Sequence, residues 1–208
     1  MFENRPTSRA STRPAPVQRR GVERVQAILD AAEALLAEQG YAAATLKAMG
    51  ERAGIPLASV YHYFGDRSQV EAELAQQHLR ELDARIGAVL ESAPGTLAGV
   101  CDAVIDLYLA YFREHPSFAA LWYAGRNSTL GELASTFDVT QAARLWRYLV
   151  DRELIRSDTP MLAVELAFEA GDRLFDVAFR KTPTGDDDTI AQARRLVSVY
   201  LASFATEA

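Results

Sequence analysis

The chain has 208 residues, 49% of them apolar and 24% charged, which is ordinary globular composition with room for one large or two small domains. It has no run of about 18 apolar residues, which excludes a membrane-spanning helix, and its N-terminus lacks the apolar core of a secretory leader. The lone cysteine, Cys101, allows no internal disulfide, reads as core packing and fits a reducing, cytoplasmic setting. The net charge of −6 hides a segregation: residues 1–67 hold nine Lys/Arg against seven Asp/Glu, or +2, while residues 68–208 hold thirteen against twenty-one, or −8. Residues 1–24 alone carry six Arg and two Glu. A basic front on an acidic rear points the N-terminal part at a polyanion.

Residues 1–18 place Pro6, Pro14 and Pro16 among Arg, Ser and Thr with almost nothing apolar, too little to order the segment by burial. Two readings stand: an arm that touches nucleic-acid phosphates or a minor groove, and an idle solvated tail. From 21 to 39, Val22, Val25, Ile28, Leu29, Ala32, Leu35 and Leu36 step by three or four residues and stop at Gly40, which predicts an amphipathic helix. Tyr41 then plugs the base of a small core. A second, short pattern puts Leu46, Met49 and Ala53 on one face, with Thr45 as N-cap and Gly54 and Pro56 as its stop. A third, over 57–64, turns Val60 and Phe64 inward and leaves Ala58, Ser59, Tyr61, His62 and Tyr63 on its other faces. Two short helices about a tight glycine turn make a helix-turn-helix, whose second helix can enter the major groove of DNA. A plain helical hairpin would not need so many polar and aromatic groups on its exposed face.

From Thr45 to Arg67 the sequence runs T-L-x-x-M-x-x-x-A-G-I-P-x-x-S-V-Y-x-Y-F-G-D-R. This resembles the DNA-binding head of the TetR family of bacterial transcriptional regulators, over about residues 22–74. The resemblance implies an all-α fold of about nine helices, with an arm over 1–18, a helix-turn-helix head over 19–67, and a ligand-binding and dimerisation body over 68–208. By the same resemblance Lys47 reaches a base, and Thr45, Ser59, Tyr63 and Arg67 hold phosphates. The outward face of the reading helix leaves Leu57, Ala58, Tyr61 and His62 to meet base edges.

Asp66 and Gln69 form a capping-box pattern that opens a helix running to about Leu90. In the resembled family this element joins head to body, and His78 reads as a surface residue on it. After the break at 92–95, the Pro, Gly and Asp punctuation divides the body into helices near 96–114, 116–124, 129–153, 160–181 and 186–205. Residues 125–135 remain open between a short extra helix and a loop. No segment alternates as a strand would.

Catalytic and metal chemistry find little support. His62, His78 and His115 are scattered, and no phosphate loop or nucleophile elbow appears. Asp102 and Asp106 share a helix face, which reads as a carboxylate site or, more simply, as a solvated face. No cofactor is expected. Aromatic residues crowd the middle of the body, and an aromatic-lined bundle is a way to build a small-molecule pocket. The resemblance implies an effector cavity, for which Phe112, Trp122, Trp146 and Phe168 are the candidate walls and Arg126 or Glu169 the polar anchor.

The last two helices carry apolar residues on more than one side, which asks for a second partner. The resemblance makes that a four-helix dimer interface, with Leu166, Phe175, Ile190, Val197, Leu201 and Phe204 as candidates and Arg194 or Arg195 meeting Asp172 or Asp176 at the rim. The expected protein is a homodimeric, ligand-responsive repressor of a palindromic operator. The rivals are a ligand-independent DNA binder or activator, and a small helical enzyme using the body cavity.

Overall fold

The computed structural model describes residues 16–124 and 128–206. Helix α1 (Pro16–Gln39) begins earlier than the periodicity predicts. Pro16 suits that start, because its missing N–H is one of the amides a first turn leaves unpaired anyway. The arm expected over 1–18 therefore gives its last three positions to α1, and residues 1–15 lie outside the described residues. Val22 is exposed, and the buried stripe comprises Ile28, Leu29, Ala32, Leu35 and Leu36. A 3-10 turn (Tyr41–Ala43) leads to α2 (Leu46–Ala53) and α3 (Leu57–Tyr63), which complete the head.

Helix α4 (Arg67–Ser92) runs out of the head. Its 26 residues span about 39 Å, with Val70 and Leu74 in its first part and Leu82, Ile86 and Leu90 further on, all buried. The body adds α5 (Leu97–Glu114), α6 (Pro116–Ala124), α7 (Ser128–Asp151), α8 (Met161–Lys181) and α9 (Asp187–Ala202). Nine helices are thus found among the described residues, and the fold is all-α as expected. Strand-like pairing is confined there to one isolated bridge between Ile155 and Ala205, where Arg156 also donates its amide to Phe204 O at 2.9 Å. A single apolar core runs from Ile28 in the head to Leu201 in the body, so α4 couples two parts that share their packing.

Polar pairings differ from the expected ones. Arg194 turns to the carboxylates of Asp102 (2.7 Å) and Asp106 on α5, so these acids lock α9 onto α5. Asp176 is buried and paired with Arg173 and, at 3.2 Å, Arg180, all on α8. These bonds fix helices within one chain.

Candidate DNA-reading face and body cavity

The head is shaped by two glycines. Gly54 ends α2 in the left-handed region at φ 65°, where a side chain would be strained, and Ile55 N bonds back to Gly50 O at 2.8 Å. At Gly50 a Cβ would lie 2.9 Å from Ile55 O and 3.0 Å from Val60 Cγ2, so the crossing of α2 and α3 depends on its absence. Val60 and Phe64 are buried as expected. Arg52 grips Glu38 through both carboxylate oxygens, at 2.5 and 2.7 Å, and ties α2 to α1. Their mutual bond keeps Glu38 below the usual carboxylate range.

This frame leaves one outer strip. Thr45 caps α2, accepting from Ala48 N at 3.1 Å. Lys47 is exposed on the first turn, 3.8 Å from Glu51, and Leu57, Ala58, Tyr61 and His62 are exposed along α3. Ser59 and Tyr63 are half-buried at its flank, with the Tyr63 ring edge-on to His62 at 5.3 Å. Arg67 stands apart from the other candidates. Its Nε meets Glu71 at 2.5 Å, its Nη2 donates to Tyr41 O at 2.7 Å, and its guanidinium lies 3.9 Å over the Tyr41 ring. The side chain expected to hold a phosphate is committed to fastening α4 to the head.

In the body, α4 to α9 line an apolar cavity of about 80 Å³. Phe112, Trp122 and Phe168 line it, as do Tyr108, Phe118 and Phe175, which periodicity alone did not separate from ordinary core. Trp122 Nε1 donates to Asp172 at 3.1 Å. Two other candidates are misplaced. Trp146 donates to Thr159 O at 2.8 Å away from the lining, and Glu169 is exposed. Arg126 lies outside the described residues.

The dimer candidates also divide. Phe175, Ile190, Val197 and Leu201 are buried in their own chain, and three of them line the cavity. Phe204 is half-buried against Tyr200. The apolar surface left over on α8 and α9 centres on Leu162, Leu166, Leu196 and Val199, from 49% to 65% exposed, with Met161 at 37%.

His78, expected on the surface, is buried where head and body meet. Its Nδ1 shares a hydrogen bond with Tyr111 OH at 2.9 Å, its ring stacks on Phe118, and Nε2 lies 3.6 Å from Glu33 on α1. Burial first, and then the neighbouring His115, lowers its pKa to about 4. Ser117 on α6 also donates to Glu33, at 3.2 Å. One turn of α1 thus touches both the connecting helix and the helix whose Phe118 walls the cavity.

A helix-turn-helix head on an all-α body is the architecture of a DNA-binding transcription regulator. The family model "Bacterial regulatory proteins, tetR family" matches residues 28–74, and "Tetracyclin repressor-like, C-terminal domain" matches residues 96–201. The chain belongs to the TetR family. It is 34% identical to a TetR-family transcriptional regulator from Streptomyces coelicolor, with 87% of this chain and 99% of that one covered and a TM-score of 0.66. A TetR-family regulator from Pectobacterium atrosepticum shares the fold at TM-score 0.73 and 17% identity, over 93% and 99% of the two chains. The multidrug binding protein EbrR, solved with imidazole, does so at 0.62 and 17%, over 89% and 97%. No curated protein sequence matches the chain.

Proposed function

We propose that this chain is a homodimeric, effector-released repressor that acts in the cytoplasm by binding and not by turnover, with its head over 19–67 and its body over 68–208. The observation that carries the reading is the outer strip of the head. Lys47, Leu57, Ala58, Tyr61 and His62 are exposed together, while the same short helices spend their other faces on the core. On this reading α3 enters the major groove, Lys47 donates to guanine O6 or N7, and Thr45, Ser59 and Tyr63 steady the backbone. Two copies join through Leu162, Leu166, Leu196 and Val199, which sets two heads on the half-sites of a palindrome. A small apolar or aromatic molecule in the cavity shifts the population to a head spacing that no longer fits. That EbrR is a multidrug binding protein supports the effector half of this reading.

Binding-site selection with purified protein tests it. A palindromic logo is expected, with half-sites about one helical turn apart, together with a dimer in sedimentation. Recovery of sequences with no shared motif, or a monomer bound to a single half-site, would count against the proposal.

A further inference from the structure

Between α4 and α7 lies an open groove of about 620 Å³, walled by Gln76, Asp83, Thr136, Thr140 and Gln141. Phe137 lines both this groove and the enclosed cavity, so its half-buried ring is the partition between them. The cavity alone is smaller than the ~300–1,000 Å³ of sites for drug-sized ligands, and the groove beyond Phe137 is the space into which it can extend. Two buried polar atoms lack partners, one on a residue lining each space. The hydroxyl of Tyr108, a cavity wall, is sealed from solvent without a hydrogen bond, and so is the amide oxygen of Gln141. Gln141 is 2% exposed, and its Nε2 donates to Asp83 at 2.8 Å. The amide cannot be turned over, because its oxygen would then face the Asp83 carboxylate. Burial first, and then Asp138, Asp172 and Asp83, pushes the Tyr108 phenol well above its ordinary range, and Phe137 lines the cavity with Tyr108 and the groove with Gln141. A buried acceptor left without a donor carries an uncompensated desolvation penalty, and a ligand that supplies the donor recovers part of it.

We propose that Phe137 is the door between groove and cavity, and that the effector is a flat apolar molecule bearing a hydrogen-bond donor, a hydroxyl or an amine, which binds at this door between Tyr108 and Gln141. The ring system lies among Phe112, Phe168 and Trp122. The donor goes to Gln141 Oε1, and the Tyr108 hydroxyl gives or takes a second bond. Swinging Phe137 outward lengthens the cavity without disturbing the helices that enclose it. The proposal rests on the body being an effector domain.

The test uses 2-naphthol, which carries a donor, against naphthalene and 2-methoxynaphthalene, which carry none and bracket its size. Trp146 stands clear of the cavity, so Trp146→Phe leaves Trp122 as the fluorescence reporter in the full-length dimer. 2-Naphthol is expected to bind about five- to tenfold tighter than either comparator, as one or two net hydrogen bonds provide. Tyr108→Phe and Gln141→Met should each remove most of that advantage and leave naphthalene affinity as it was. Phe137→Ala should speed 2-naphthol association about tenfold by removing a conformational step. Equal affinity for the three compounds in the unsubstituted pocket, which needs no other variant to fold, overturns the proposal. So does an advantage that survives both substitutions, or an unchanged association rate in Phe137→Ala. Failure of the functional reading would show elsewhere, in a binding-site selection that returns no operator.

Discussion

The head and the last two helices of the body solve opposite problems with the same residue types. In the head, three helices pack on one end of the shared core, so each short helix has one face in and one face out, and the outward face is the working one. In α8 and α9 the helices are long, and their apolar residues serve three surfaces at once: the chain's own core, the cavity wall and the exposed strip. Val197 and Leu201 are buried while Leu196 and Val199, their neighbours in sequence, are half exposed or more. Apolar periodicity reports that a face is apolar and says nothing of which apolar space it meets.

Charge insertion breaks that difference open. Leu201→Glu puts an unpaired carboxylate into the cavity wall, and the cost is several kcal/mol, enough to unfold a domain of ordinary stability. Leu166→Glu with Val199→Glu places the same charges on exposed positions and should leave the monomer's melting temperature nearly unchanged, within about 0.5 kcal/mol, while the dimer dissociates. Sedimentation and thermal melts on both proteins decide it. If the double variant unfolds or Leu201→Glu stays a folded dimer, the division of α8 and α9 drawn above is wrong.

This division also explains what could be read without coordinates. The helix boundaries came from Gly, Pro and capping residues, which act locally: Thr45 and Asp66 each accept an amide as N-caps. The outward face of α3 followed from Val60 and Phe64 alone. His78 shares a helix face with Leu74, Ala75 and Leu82, all buried, so its burial was legible there; what the spacing could not show is that Tyr111, His115 and Phe118, more than thirty residues away, close over it. Arg67 was half legible: its partner Glu71 stands at i+4, where spacing pairs charges on a helix, but Tyr41 lies 26 residues back in the chain, and no spacing rule pairs the two.

His78 sharpens the comparison at the joint of head and body. Its folded pKa of about 4 lies below the ordinary 6.5, so the unfolded chain takes up the proton first. Its contribution is complete above pH 6.5, falls as pH drops from 6.5 towards 4, and is gone below. At pH 5 the loss is about 2 kcal/mol. Other groups titrate over the same range, so the measurement is a difference: the stability gap between the natural chain and His78→Phe, followed by denaturant melts from pH 7 to pH 5, should narrow. A gap that stays constant shows that His78 titrates alike in both states.

Gly50 tests whether the head's geometry is as tight as its core suggests. Gly50→Ala drives a methyl into Ile55 O and Val60 Cγ2, and overpacking of this kind costs about 1–3 kcal/mol. Backbone oxygen cannot rotate away, so α3 must shift against α2. Operator affinity is expected to fall more than stability does, because the groove-facing residues move with α3. Equal losses in the two measurements would mean that the head absorbs the methyl without re-aiming its reader.

The smallest expected effect separates the reading strip from the residue that only fastens it. Lys47 is exposed, and its nearest carboxylate is 3.8 Å away, so Lys47→Ala should leave the melting temperature where it is. On the selected operator it should lose about 1 kcal/mol per half-site, the low end for a base contact because one ammonium makes one bond where a fork makes two. The loss should be confined to one position of the logo. His62→Ala should act likewise at a different position. Arg67→Ala belongs to the other class. Its guanidinium contacts Glu71 and Tyr41 inside the head, so its removal should lower the melting temperature and weaken binding to every sequence by the same factor. The slope of affinity against salt should stay unchanged, since no phosphate contact is lost. A salt slope lower by about one per subunit in Arg67→Ala would return that residue to the phosphate-holding set. An unaltered logo in both Lys47→Ala and His62→Ala would take base reading away from the strip.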